Sequence, residues 1–195
     1  MAVKFDPQCD DIAIVLSALK LRQSADFMDS YSEPYVMVVG MDETSADGAR
    51  FHCQLNAFSN VRAYQPLVAA GEGLLLYGPA NPGAFVTLSV AIMESDAEIR
   101  QAGQDLQAWV SQAAHHIGVT SLLAANPGAT TARSLVEQVL GRIASRMRDN
   151  QDDILLTVSG CWFRDRPVPY NINSFSVHHN DFAEATLKVI PLPPG

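Results

Sequence analysis

The sequence predicts a mainly β protein: an antiparallel β-sandwich of about eight strands with a helical pair inserted late in the chain. Three observations predict it. Short runs rich in β-branched and aromatic residues recur along the chain, punctuated by Gly, Pro, Asn and Asp. The apolar period becomes helical between about residues 95 and 150, then returns to strand-like runs. Helices do not alternate with strands one by one, so a βαβ sheet does not fit. A length of 195 residues suits one domain, expected to span 1–195 with the insertion at about 95–150.

Taken in order, residues 12–21 (IAIVLSALKL) are apolar enough for a strand, although a short helix also fits them. Residues 35–39 (YVMVV) are a clear strand, closed by Gly40. Asp47-Gly48 is a turn signal. Residues 50–61 then alternate in part, with Phe51, Cys53 and Leu55 on one side and His52, Gln54 and Asn56 on the other, as in a half-buried strand. Residues 72–77 and 85–93 are two further strands, expected to be joined as a hairpin by Gly78-Pro79-Ala80-Asn81-Pro82-Gly83. That connection lacks the Lys-Ser/Thr ending of a phosphate-binding loop.

From Ser95 the spacing is helical: Ile99, Ala102, Leu106, Trp109, Val110, Ala113 and Ile117 share a face. Ser95 and Glu98 have the form of a capping box. Asn126-Pro127-Gly128 breaks the run. Thr130 or Thr131 is then placed to cap a second helix striped by Leu135, Val136, Val139, Leu140, Ile143 and Met147. Strands return at residues 154–158, followed by Cys161-Trp162-Phe163, then at 172–177 and 183–190. The closing Pro191-Leu192-Pro193-Pro194-Gly195 is expected to leave the sheet.

Composition narrows the function. Hydrophobic residues make up 48% of the chain and charged residues 17%, below the roughly 25% usual for soluble domains. A surface short of charge favours a protein partner or self-association. The net charge of −8 argues against nucleic acid and anionic membranes, which need clustered Lys and Arg. Three widely spaced cysteines form no C-x-x-C pair, which points to reduced thiols rather than a disulfide or thiolate zinc framework. With no apolar leader and no membrane-length run, the expected location is cytoplasmic.

Two segments resemble C2 domains, in which an acidic loop leads into a Ser-Asp-Pro-Tyr-Val motif opening a strand, and another strand ends in an Asp-x-Asp loop. Ser32-Glu33-Pro34-Tyr35-Val36 is similar to the first, with Asp29 four residues before Glu33. FVTLSVAIMESD, residues 85–96, is similar to the second. The resemblance covers about the first hundred residues and, loosely, the last strand; the helical pair lies outside it. It implies a C2-like sandwich, with Asp29, Glu33, Glu94 and Asp96 as the ligands of a calcium site. The competing explanation is solvated acidic loops and a helix start that favours Asp96 without metal.

Other chemistry is sparse. His115-His116 falls on the first helix and His178-His179 is expected in a loop before the last strand; neither has the i, i+4 spacing of a helical zinc site. Cys161 has no His that sequence alone places beside it, and there is no G-x-S-x-G elbow. Trp109 is expected in the core. Arg142 and Arg146 lie on the polar side of the second helix, and Arg164 to Tyr170 mixes Arg, Pro and Tyr in an expected exposed loop. Arg142, Arg146, Arg164 and Tyr170 are therefore the candidate partner-binding residues. The expected function is a non-catalytic docking module needing no cofactor. The alternatives are a calcium-dependent phospholipid-binding C2 module and an enzyme whose site is assembled only in the fold.

Overall fold

The computed structural model describes residues 4–22, 32–46, 51–59, 61–67, 71–94, 106, 108–113, 115, 129–148 and 152–192. The chain folds into two antiparallel sheets. The strands are β1 (Asp11–Leu21), β2 (Pro34–Asp42), β3 (His52–Ala57), β4 (Pro66–Leu67), β5 (Leu74–Ala80), β6 (Phe85–Glu94), β7 (Asp153–Phe163), β8 (Phe175–His179) and β9 (Ala183–Leu192). The first sheet runs β4-β1-β9-β8, with β5 also paired to β1; the second runs β3-β2-β6-β7. A four-residue helix α1 (Glu43–Ala46) follows β2, and a long helix α2 (Ala129–Arg148) lies between β6 and β7 in sequence. Among the described residues no helix is long and apolar enough to cross a membrane.

Two separate cores hold these layers together. The first lies between the sheets, where Ile12, Ile14 and Leu16 of β1 and Leu187 and Val189 of β9 meet Val36, Val38, Val86, Leu88, Val90 and Trp162. The second lies on the outer face of the second sheet, where Tyr35, Met37, Val39 and Met41 of β2 and Met93 of β6 meet α2. Alternate residues of β2 thus enter different cores, and every residue of β2 and β6 is buried. A strand covered on both faces reads as a continuous apolar run, as YVMVV does. The buried hydroxyls on this face are satisfied: Thr87 donates to the Gly160 carbonyl at 3.1 Å, and Ser89 and Ser159 share a 2.6 Å hydrogen bond.

The apolar stripe of the second helix is in place: Leu135, Val136, Val139, Leu140, Ile143 and Met147 are all buried against the sheet. The helix starts at Ala129, so Thr130 and Thr131 sit inside its first turn instead of capping it. Residues 106, 108–113 and 115 are helical too, with Leu106, Val110 and Ala113 buried in the same core. The Ser95–Glu98 capping box and Asp47-Gly48 lie outside the described residues. At the far end of α2, the buried Tyr35 hydroxyl donates to Asp152 at 2.8 Å and touches the Met147 sulfur at 3.1 Å. This contact ties β2 to the connection between helix and β7.

Four expectations need correction. The segment 78–83 does not close a hairpin: β5 continues through Gly78-Pro79-Ala80 beside β1, and the chain then crosses to the other sheet. Gly78 has φ +85 and packs so close to the Ile12 carbonyl that no side chain fits, which is why this irregular pairing needs glycine. β9 does not stop at Ile190, because Pro191 and Leu192 still pair with Ile12 and Asp11. Ile172 precedes β8, which starts at Phe175, after a short 3-10 turn at Pro169–Asn171. His178 and His179 lie within β8, not in the loop after it.

Candidate functional site

The acidic ends come first. Pro34 opens β2 directly opposite Glu94, the last residue of β6, so Ser32–Val36 and the end of β6 lie side by side. Glu94 is 5% exposed, and its Oε1 accepts the Glu33 backbone N–H at 3.0 Å, whereas the Glu33 side chain is exposed. The Glu94 carboxylate therefore acts as a local clamp between two strand ends. Asp29 and Asp96 lie outside the described residues. Among the described residues no group of three or more His, Cys, Asp or Glu is arranged to hold a metal.

The helix layer presents the second candidate. Arg142 and Arg146 are both exposed on α2, one turn apart, because the buried stripe occupies the opposite side. Trp109 is only partly buried, and the Arg146 guanidinium lies 5.2 Å from the centre of its ring. Arg146 also donates to Gln112 Oε1 at 3.1 Å. These side chains, with Ala113 and Ile143 at the floor, line a shallow cleft of about 130 Å³. The expectation that Trp109 belongs to the core is therefore half right: it packs against the core while also bordering the cleft. Ala113, on the apolar face of the first helix, is buried, whereas its neighbours Ser111 and Gln112 are exposed. Further along the helix Arg133 is held by Glu137 at 2.8 Å.

The loop after β7 divides. Tyr170 is removed from the set of partner-binding residues: its ring is fully buried, and its hydroxyl donates to the Gly83 carbonyl at 2.5 Å. It also meets Phe5 edge-on at 6.5 Å. The physical reason is that the backbone at Tyr170 is left-handed, φ 51, within the short 3-10 turn, and its ring joins the core between the sheets. Arg164 is partly covered, with Nε 3.8 Å from Asp165. The exposed part of the loop is Asp165 to Val168, and Arg166 lies 5.0 Å from the Phe163 ring centre.

Sequence reasoning missed a third cluster. Asp42, at the end of β2, is buried and accepts hydrogen bonds from Tyr77 at 2.7 Å and Thr44 at 2.7 Å; His52 Nε2 lies 3.2 Å away. The His52 and Tyr77 rings meet edge-to-face at 5.2 Å. Because Asp42 and Tyr77 belong to different sheets, this cluster clasps the two sheets along one side. Burial and the neighbouring Asp42 carboxylate both push the Tyr77 hydroxyl well above the ordinary tyrosine range. The only sequence signal was the polar side of β3, which put His52 and Gln54 on one face. Gln54 also bridges to β5, donating to the Leu75 carbonyl at 2.8 Å.

Burial pushes the Cys161 thiol up to about 11, outweighing the opposing pull of Arg133 and Arg166, so at neutral pH it is a protonated thiol and a weak nucleophile. Burial lowers the pKa of His178, favouring its neutral form.

No family model and no curated protein matches the chain. Among solved structures it is similar to human GIVD cytosolic phospholipase A2 in complex with the inhibitor methyl gamma-linolenyl fluorophosphonate and terbium chloride, at 10% identity and a TM-score of 0.40. The match covers 94% of this chain and 17% of that one.

Proposed function

We propose that the chain is a non-catalytic, cytoplasmic docking module on a C2-like sandwich, with its partner-binding face on the helix layer. The observation that carries this is the stacked pair of Trp109 and Arg146 beside Arg142. Trp and Arg dominate interface hot spots because they offer large, partly desolvated area together with directional hydrogen bonding. Here the stack and the bond to Gln112 hold Arg146 in place before a partner arrives, which lowers the ordering cost of binding. The C2-like aspect is supported by the two motif segments meeting at one end of the sandwich, where Pro34 pairs with Glu94.

The test is recovery of the partner from the native organism's lysate by the wild type and by the double variant Arg142→Glu, Arg146→Glu. Both residues are exposed, so the double variant should still fold, at a cost of about 1–2 kcal/mol from the lost Trp109 stack and the acidic charge near the helix end. The partner band should be lost. Undiminished recovery by a normally folded double variant would overturn this placement. No cofactor is required: millimolar calcium should leave Tm unchanged, and a rise of several degrees that Asp96→Asn abolishes would favour the calcium-dependent phospholipid-binding alternative instead.

A further inference from the structure

We infer that the edge strand β8 is a self-association site, at which a second copy of this chain adds its own β8 antiparallel about a two-fold axis through Val177. Among the described residues β8 pairs with β9 alone, leaving its other edge open. The hairpin register shows which backbone groups face that edge. Asn180 N–H donates to the Ala183 carbonyl at 3.0 Å, and Ser176 and His178 stand opposite Leu187 and Ala185. Antiparallel pairs alternate between bonded and non-bonded. The bonded pairs are therefore 180 with 183, 178 with 185 and 176 with 187, so the N–H and C=O groups of Phe175, Val177 and His179 point away from β9.

The same three residues carry the exposed side chains of the strand. Phe175 is 63% exposed and Val177 58%, with Phe182 at the hairpin tip 47% exposed. Edge strands that stay single usually carry Lys, Pro or a bulge. The sequence of β8 is FSVHH, with none of these and no acidic residue, in a chain whose net charge is −8. The opposite side of the sandwich, by contrast, is bridged by Gln54 and clasped by Asp42, Tyr77 and His52.

A second copy fits this edge better than an unrelated strand because the pattern complements itself. With Val177 on the axis, Phe175 faces the second copy's His179, and the three bonded pairs exchange about six backbone hydrogen bonds. On β9, Lys188 stands beside Phe175 and Glu184 beside His179. Each outer row of the joined sheet then runs from Lys188 through Phe175 and the second copy's His179 to its Glu184. Each of the two outer rows begins with a cation and ends with an anion, and the central row, Thr186 and Val177 with their symmetry mates, is uncharged. No like charges meet. Such an interface is isologous and closes at the dimer.

Sedimentation equilibrium over the micromolar range, joined to amide hydrogen exchange, tests this. The wild type should dimerise. Val177→Lys places two cations against each other on the axis and should raise the dissociation constant by roughly a hundredfold or more. Its Tm at low concentration should stay unchanged, because position 177 is exposed. Val177→Thr, uncharged and β-branched, should remain dimeric. The amides of Phe175, Val177 and His179 should become protected with rising concentration, whereas those of Ser176 and His178 should not respond. A monomeric wild type, a Val177→Lys variant that dimerises normally, or concentration-independent exchange at Val177 and His179 would each overturn the proposal.

Discussion

The two sheets are similar in strand content but differ in what covers them. In the second sheet, β2 and β6 are buried along their whole length, with the inter-sheet core on one face and the helix layer on the other. In the first sheet, β9 alternates residue by residue: Ala183, Ala185, Leu187 and Val189 are buried, while Glu184, Thr186 and Lys188 are partly exposed. Its outer face is tied by ion pairs such as Arg22 with Glu184 and Lys188 with Glu72, both at 2.6 Å. The difference teaches that the helical insertion is structural before it is functional. Without it, Tyr35, Met37, Val39 and Met41 would form an apolar stripe facing water. With it, the surface that would have been a sheet becomes a helix face able to present Trp109, Arg142 and Arg146.

The largest effect that sharpens this contrast is cavity formation in the outer core. Met37→Ala or Leu140→Ala should each cost about 2–5 kcal/mol in chemical denaturation. Both side chains are fully buried between the second sheet and the helix layer. A loss below about 1 kcal/mol at both sites would mean that the helix layer packs loosely and is not a true second core.

The next effect is alkaline. Tyr35, Tyr77 and Tyr170 all have pKa values raised by burial, with Asp152 and Asp42 adding to the shift for the first two, and Tyr170 is pushed up to about 12. A raised folded-state value means that the stabilisation is complete below the unfolded value near 10 and is lost as pH rises through the folded one. Denaturation midpoints should therefore hold up to about pH 10 and fall between about pH 10 and 12. Tyr170→Phe should shrink that fall, and an unchanged pH profile in this variant would contradict the buried position of its hydroxyl.

The smallest effect belongs to the open face. Lys188→Ala removes a surface ion pair and should cost no more than about 1 kcal/mol, less in high salt. A larger, salt-insensitive loss would mean that the outer face of the first sheet is covered as well.

The chain's own pattern made much of this legible. The apolar run YVMVV announced a strand, though not that both its faces would be buried, and the i, i+3, i+4 spacing from Leu135 to Met147 announced the helix stripe that covers one of them. The alternation of Phe51, Cys53 and Leu55 against His52, Gln54 and Asn56 was also realised, with the first set packed beneath the helices. What failed depended on long-range geometry. The Gly-Pro run at 78–83 carries strong turn chemistry, but pairing with β1 overrode it. The string Arg164 to Tyr170 looks polar and exposed, yet one left-handed residue buries its aromatic ring. The cluster of Asp42, His52 and Tyr77 unites three segments more than thirty residues apart at its extremes, and no local period signals such a meeting. Similarly, the role of Trp109 depends on Arg146, which arrives from another helix.

The most direct test of whether the helix layer and the sandwich form one unit uses the two tryptophans. Trp162 lies in the core between the sheets, and Trp109 borders the helix-layer cleft. In the single-tryptophan variants Trp109→Phe and Trp162→Phe, the fluorescence of the remaining indole should report the same unfolding transition as the far-ultraviolet circular dichroism of that variant. Coincident midpoints and slopes within each variant are the predicted result. A Trp109 signal that is lost at clearly lower denaturant than the sheet signal of the same variant would show a helix layer that detaches from an intact sandwich, and would contradict the double-sided core.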